Sequence, residues 1–160
     1  MRKDKITQSI ICHEWGHALT AYLLQSGMGS IETIEFYDDV YCVHGHTTFL
    51  HTSFTERQEL MILFGGIAAE RVCGYSTVLM HSGTDADKIR AIVPDKQERQ
   101  EIGDSVIVLL MPYRTSLEWL VKTTLEHYPT ERDENNRIYY RVFRDELASW
   151  IADAIKFRNE

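Results

Sequence analysis

The sequence predicts an α+β fold, predominantly helical, with a small antiparallel sheet and a C-terminal helical bundle. Apolar residues recur with helical spacing over most of the chain. Two β-rich runs occur between residues 31 and 51, and the stretch after Pro94 reads as helix almost throughout. With 160 residues, 44% of them hydrophobic and 26% charged, the composition is that of an ordinary globular chain. Folding at that length buries roughly two-thirds of the unfolded surface, enough for one core without disulfide staples. Residues 1–160 therefore read as a single domain, with a front part over 1–93 and a helical part over 94–160.

The first helix is expected over residues 6–24, where Ile6, Ile10, Ile11, Ala18, Leu19 and Leu23 recur on one face and Gly27 breaks the pattern. Residues 31–37 alternate as a strand, and a second strand is expected in 40–51, interrupted by Gly45. Ser53-Phe54-Thr55-Glu56 has the form of a capping box and opens a second helix that runs to Gly74. A short helix capped by Thr84 or Asp85 follows and ends before Pro94. Three further helices are expected over 95–110, 115–127 and 137–157, separated by Pro112 and the polar stretch 129–136. Gly65-Gly66 inside the second helix costs roughly 1 kcal/mol per Gly relative to Ala. Close packing against the first helix would offset that cost. Trp15 and Trp119 read as packing residues, and His44, His46 and His51 as solvent-facing.

Charge and cysteine usage narrow the function classes. The formal net charge of −7 leaves no uniform positive field, which argues against nucleic acid as a partner. Cys12, Cys42 and Cys73 are an odd set without C-x-x-C spacing, as expected of reduced thiols in a cytoplasmic protein. The N-terminal segment is too short and polar for a secretory signal. Nowhere do about 18 apolar residues run together, so no membrane segment is expected in this chain.

The chemistry-bearing motif is His13-Glu14-Trp15-Gly16-His17, an H-E-x-x-H inside the first predicted helix. Residues four apart stand one turn above each other, so both imidazoles can reach one zinc ion while Glu14 reaches a water on it. A catalytic zinc needs a third protein ligand and an open position. The extended H-E-x-x-H-x-x-G-x-x-H pattern fails at Thr20 and Leu23. Asp85, Asp87, Glu70, His81 and the strand histidines remain as candidates for that ligand.

Downstream lie Leu63-Phe64-Gly65-Gly66-Ile67-Ala68-Ala69-Glu70 and Ser82-Gly83-Thr84-Asp85-Ala86-Asp87. In series with H-E-x-G-H-A-L, these motifs resemble the peptidase domain of the FtsH family, the membrane-bound ATP-dependent zinc proteases. The resemblance covers about residues 7–93. It implies a zincin-like fold around the H-E-x-x-H helix, with His13, His17 and Asp87 as zinc ligands and Glu14 as general base. Gly83-Thr84-x-x-Asp87 is also similar to the G-T-x-x-D of the aspzincins, which selects the same aspartate. Glu70 is a candidate to orient a ligand histidine through its spare ring N–H, or to form a structural salt bridge.

The chain departs from the FtsH pattern at Ile67, Thr84 and Tyr37-Asp38-Asp39, which bear on substrate handling more than on the metal. It has no G-x-x-x-x-G-K-[ST] phosphate loop, so an unfoldase would come from a separate ATPase chain, or the substrates would be flexible already. The expected function is a zinc-dependent metalloendopeptidase acting on flexible or unfolded proteins, with a homo-oligomer as one assembly the resemblance implies. An edge strand, 31–37 or 45–51, would hold the substrate by main-chain pairing. The alternative is a metal-containing, peptide-binding or regulatory module that does not cut. The retained Glu14 favours catalysis over it, since a structural zinc has no use for a base.

Overall fold

The computed structural model describes residues 5–25, 31–39, 43–50, 54–75 and 83–158. Helix α1 (Lys5–Gln25) is buried on nearly every side from Thr7 to Ala21, so it is the central element rather than an amphipathic surface helix. Strands β1 (Ile31–Asp38) and β2 (Val43–Phe49) follow, then helix α2 (Glu56–Cys73) and the short helix α3 (Gly83–Ile92). Helix α4 (Lys96–Leu110), a 3-10 turn (Met111–Tyr113) and helix α5 (Arg114–His127) lead to strand β3 (Ile138–Phe143), helix α6 (Arg144–Ala154) and a last 3-10 turn (Ile155–Phe157). The architecture is α+β, mostly helical with one three-stranded antiparallel sheet.

Strand order is β2-β1-β3, which puts β1 in the centre and β2 and β3 at the edges. Phe36 of β1 pairs with Gly45 on one side and Tyr140 on the other. This corrects two sequence expectations. Residues 31–37 are not an edge, and the helix expected over 137–157 begins only at Arg144. Ile138-Tyr139-Tyr140-Arg141-Val142-Phe143 is rich in β-branched and aromatic side chains, and it alternates with Ile138 and Val142 buried and Tyr139 and Phe143 exposed. The chain after Pro94 is thus not a purely helical bundle, because it returns to complete the sheet begun by the front part.

Helix boundaries follow local chemistry. The capping box of α2 is formed by Thr55 and Gln58 instead of Ser53 and Glu56: Gln58 N donates to Thr55 Oγ1 at 3.2 Å and Thr55 N to Gln58 Oε1 at 2.9 Å. T-x-x-Q meets the same reciprocal requirement two residues later; Ser53 lies outside the described residues. Gly74, with φ of 79°, closes the helix in the left-handed conformation. Asp95 caps α4 by accepting from Glu98 N at 2.8 Å.

One main core joins α1 to β1, α2, α4, α5 and α6. Trp15, fully buried, donates from Nε1 to Thr124 Oγ1 at 2.8 Å and packs 6.0 Å from the Trp150 ring. Trp119 packs 5.9 Å from Phe157. The glycines of α2 lie against α1 as expected: a Cβ on Gly65 would stand 2.6 Å from Gly16 O and from Thr20 Oγ1. Cys12 and Cys73 are free thiols, and burial pushes the Cys12 thiol up, with Cys73 beside it adding to the shift. Cys42 lies outside the described residues. Among the described residues no helix is long and apolar enough to cross a membrane.

Candidate metal centre

His13, Glu14 and His17 sit in the middle of α1 and are almost fully buried. Their spacing stacks the two imidazoles, with ring centroids 4.6 Å apart and planes nearly perpendicular. Each ring is fixed from behind by its Nδ1. That atom of His13 lies 2.5 Å from Glu70 Oε1, and that of His17 donates to the Ile62 carbonyl at 2.7 Å. A carbonyl can only accept, so Nδ1 of His17 carries the proton. Both partners come from α2, and both leave the Nε2 atoms aimed at one spot.

At that spot is Asp85, in the first turn of α3. Its Oδ2 lies 3.0 Å from His13 Nε2 and 3.0 Å from His17 Nε2. The three ligand atoms fall within 4.8 Å of one another. Tetrahedral zinc with bonds of 2.0–2.1 Å separates its ligand atoms by about 3.3 Å, so the cluster matches such a site in size as well as in donor chemistry. Gly66 makes room for it: a Cβ there would stand 2.5 Å from His13 Cε1, inside the ring's own contact radius.

The carboxylate expected here was Asp87, and the structure places it elsewhere. The Asp87 side chain is 76% exposed and faces Arg90 at 3.5 Å, whereas Asp85 is 17% exposed. Helix geometry gives the reason: successive residues turn by about 100°, so positions two apart point to nearly opposite sides. Ile89, buried and four residues beyond Asp85, anchors the same face of α3 to the body. That apolar anchor was the available signal for Asp85. Glu70 is brought to the site as the notional orienting carboxylate, fully buried, with its Oε2 lacking a partner among the described residues. His81 and His51 lie outside the described residues.

Electrostatics within the cluster are mutual. Burial works against a charged His13 ring, but the hydrogen-bonded Asp85 and Glu70, helped by the Glu14 charge, outweigh it and push its pKa up to about 10. Burial likewise opposes the Asp85 carboxylate, and the two histidines overcome it and hold that carboxyl well below the usual range.

Glu14 points into the adjoining cleft of about 300 Å³, which is also lined by His46, Thr47, Phe49, Leu63 and Lys88. Thr47 Oγ1 donates to Glu14 Oε2 at 2.6 Å and fixes the carboxylate. Gly45 of β2 lets it stand there, since a Cβ at that position would lie 2.5 Å from Glu14 Cγ and 2.8 Å from Oε1. Sequence reasoning did not single out Thr47 or Gly45 for this. Their signal is alternation: Val43, Gly45, Thr47 and Phe49 share the face of β2 turned toward α1, while His44 and His46 are exposed. No protein-family model and no curated protein matches the chain.

Proposed function

We propose that the chain is a zinc metallopeptidase in which His13, His17 and Asp85 hold the metal and Glu14 is the general base. The observation that carries this reading is the convergence of His13 Nε2 and His17 Nε2 on Asp85 Oδ2, each at 3.0 Å, beside a buried glutamate from the same helical turn. The resemblance of the three motifs to the FtsH peptidase domain supports the same chemistry, with the third ligand moved from Asp87 to Asp85. Zinc, when bound, supplies a Lewis acid that acidifies water and polarises a peptide carbonyl.

The chain's own groups do the rest. Thr47 holds the Glu14 carboxylate in one orientation, so that it can take a proton from the attacking water and return it to the leaving amine nitrogen. Glu70 and the Ile62 carbonyl hold the two imidazoles in the tautomer that presents Nε2. Strand β2 lies at the sheet edge along the cleft, where an extended peptide can add by main-chain pairing. A cleft of this volume takes a few residues of extended chain, which suits flexible or unfolded segments of protein substrates.

The test combines elemental analysis with cleavage of an unstructured labelled protein, with and without chelator. Expected are about one zinc per chain, chelator-sensitive cleavage, and a Glu14→Gln variant that keeps the metal while turnover falls about 10²–10⁴-fold. Full activity in Glu14→Gln, or no bound metal, would overturn the reading. Metal without cleavage would leave a metal-containing peptide-binding module.

A further inference from the structure

Between α2, α3 and α4 lies a second cavity of about 260 Å³, whose lining does not include Asp85. Phe64, Ile67 and Ile89 contribute to its apolar lining. Four cations from three segments converge around it: Arg71 at the end of α2, Arg90 of α3, and Lys96 and Arg99 at the start of α4. Among the described residues Asp104 is the one acidic residue that lines it, so that lining carries a formal charge of +3 in a chain whose net charge is −7. Arg90 is drawn toward Asp87 at 3.5 Å. Arg99 is tethered by hydrogen bonds from Nη1 to the carbonyls of Val93 at 2.8 Å and Pro94 at 2.5 Å, which use two of its five N–H donors without neutralising its charge. Arg71 and Lys96 have no ion-pair partner among the described residues.

From this we infer that the groove docks an acidic peptide segment of a partner protein, one apolar side chain seated on the Phe64–Ile67–Ile89 floor and flanking carboxylates paired with Arg71 and Lys96. Charge complementarity is joined here to an apolar floor. A small inorganic anion would use the cations and leave the floor exposed, and a purely apolar helix would bury cations without partners. A nucleic acid would use the same four cations through its phosphates and bring no aliphatic side chain to the floor. The inference does not rest on metal binding, because no groove residue belongs to the cluster.

The test is fluorescence anisotropy on the full chain with a labelled peptide carrying a central Leu between runs of Glu and Asp. Saturable binding is expected, weakening as salt rises. The Arg71→Glu/Lys96→Glu double variant should bind about tenfold less tightly, since each reversal both removes and opposes an exposed pair. Unchanged metal content and an unchanged Tm in that variant would show that the loss is local. The same peptide with Lys in place of its acidic residues should not bind. Equal binding of the basic peptide, equal binding of a peptide lacking Leu, or no saturable binding at all would each overturn the proposal. These outcomes stand apart from the peptidase reading, which is judged by zinc content and cleavage.

Discussion

Asp85 Oδ2 stands 3.0 Å from His13 Nε2 across 72 residues of sequence. The contact ties the central helix to a short surface helix in which Ile89 is buried, as is Val93 just after it. A cation shared by these atoms would therefore fasten α3 as well as complete a reactive site.

Replacing Asp85 should remove the metal, and replacing Asp87 should not. Asp85→Ala takes away the one carboxylate among the described residues that meets both imidazoles, and zinc affinity should fall by more than the roughly 10–100-fold that loss of an orienting partner costs. Asp87→Ala should retain full metal and lose only an exposed contact with Arg90, worth at most about 1 kcal/mol. Zinc titration of both variants against a competing chelator decides between them; metal lost from Asp87→Ala and kept in Asp85→Ala would reverse the assignment.

The two aspartates mark where the sequence was readable. His13, Glu14 and His17 were legible because one helical turn brings them together, and local periodicity is what a sequence displays best. The third carboxylate depends on which face of α3 turns inward, and a motif match is blind to a shift of two residues. The sheet divides in the same way. β1 and β2 were visible as neighbouring alternating runs, whereas β3 was masked by the helical pattern continuing from Arg144 and by a partner about a hundred residues away. Thr47 and Gly45 owe their roles to β2 lying against α1, a packing relation that no residue spacing encodes.

Glu70 offers a separate test of how the first histidine is held. Glu70→Ala strands the Nδ1 side of a buried ring, which should cost about 1–3 kcal/mol of stability and weaken zinc binding about 10–100-fold. Glu70→Gln keeps the shape and one acceptor oxygen, so its zinc affinity should fall between that of the Ala variant and wild type. Identical zinc affinity in wild type and both variants would reduce Glu70 to a structural residue.

Packing at the helix crossing predicts a stability defect. A methyl group on Gly16 would run into the Gly65 backbone and stand 2.5 Å from Ala69 Cβ, so Gly16→Ala must push α1 and α2 apart. Overpacking of this kind costs about 1–3 kcal/mol. For a chain of this size that corresponds to a fall in Tm of about 2–4 °C per kcal/mol. An unchanged Tm by calorimetry on the metal-free protein would mean that the crossing is looser than these contacts require.

Gly45→Ala should separate catalysis from metal binding. The three atoms nearest the added methyl are Cγ, Oε1 and Cδ of Glu14, the movable end of a side chain. Glu14 can yield by rotating, but only by leaving the orientation that Thr47 fixes at 2.6 Å. The fold and the zinc content should therefore persist while kcat falls toward the level of Glu14→Gln, a loss of about 10²–10⁴-fold. Thr47→Val removes the same restraint without adding bulk, and should lower kcat less than Gly45→Ala does. Steady-state cleavage of one flexible substrate by all three variants, with zinc measured on the same samples, orders them. Wild-type turnover in Gly45→Ala would show that the carboxylate works from a position other than the one β2 holds.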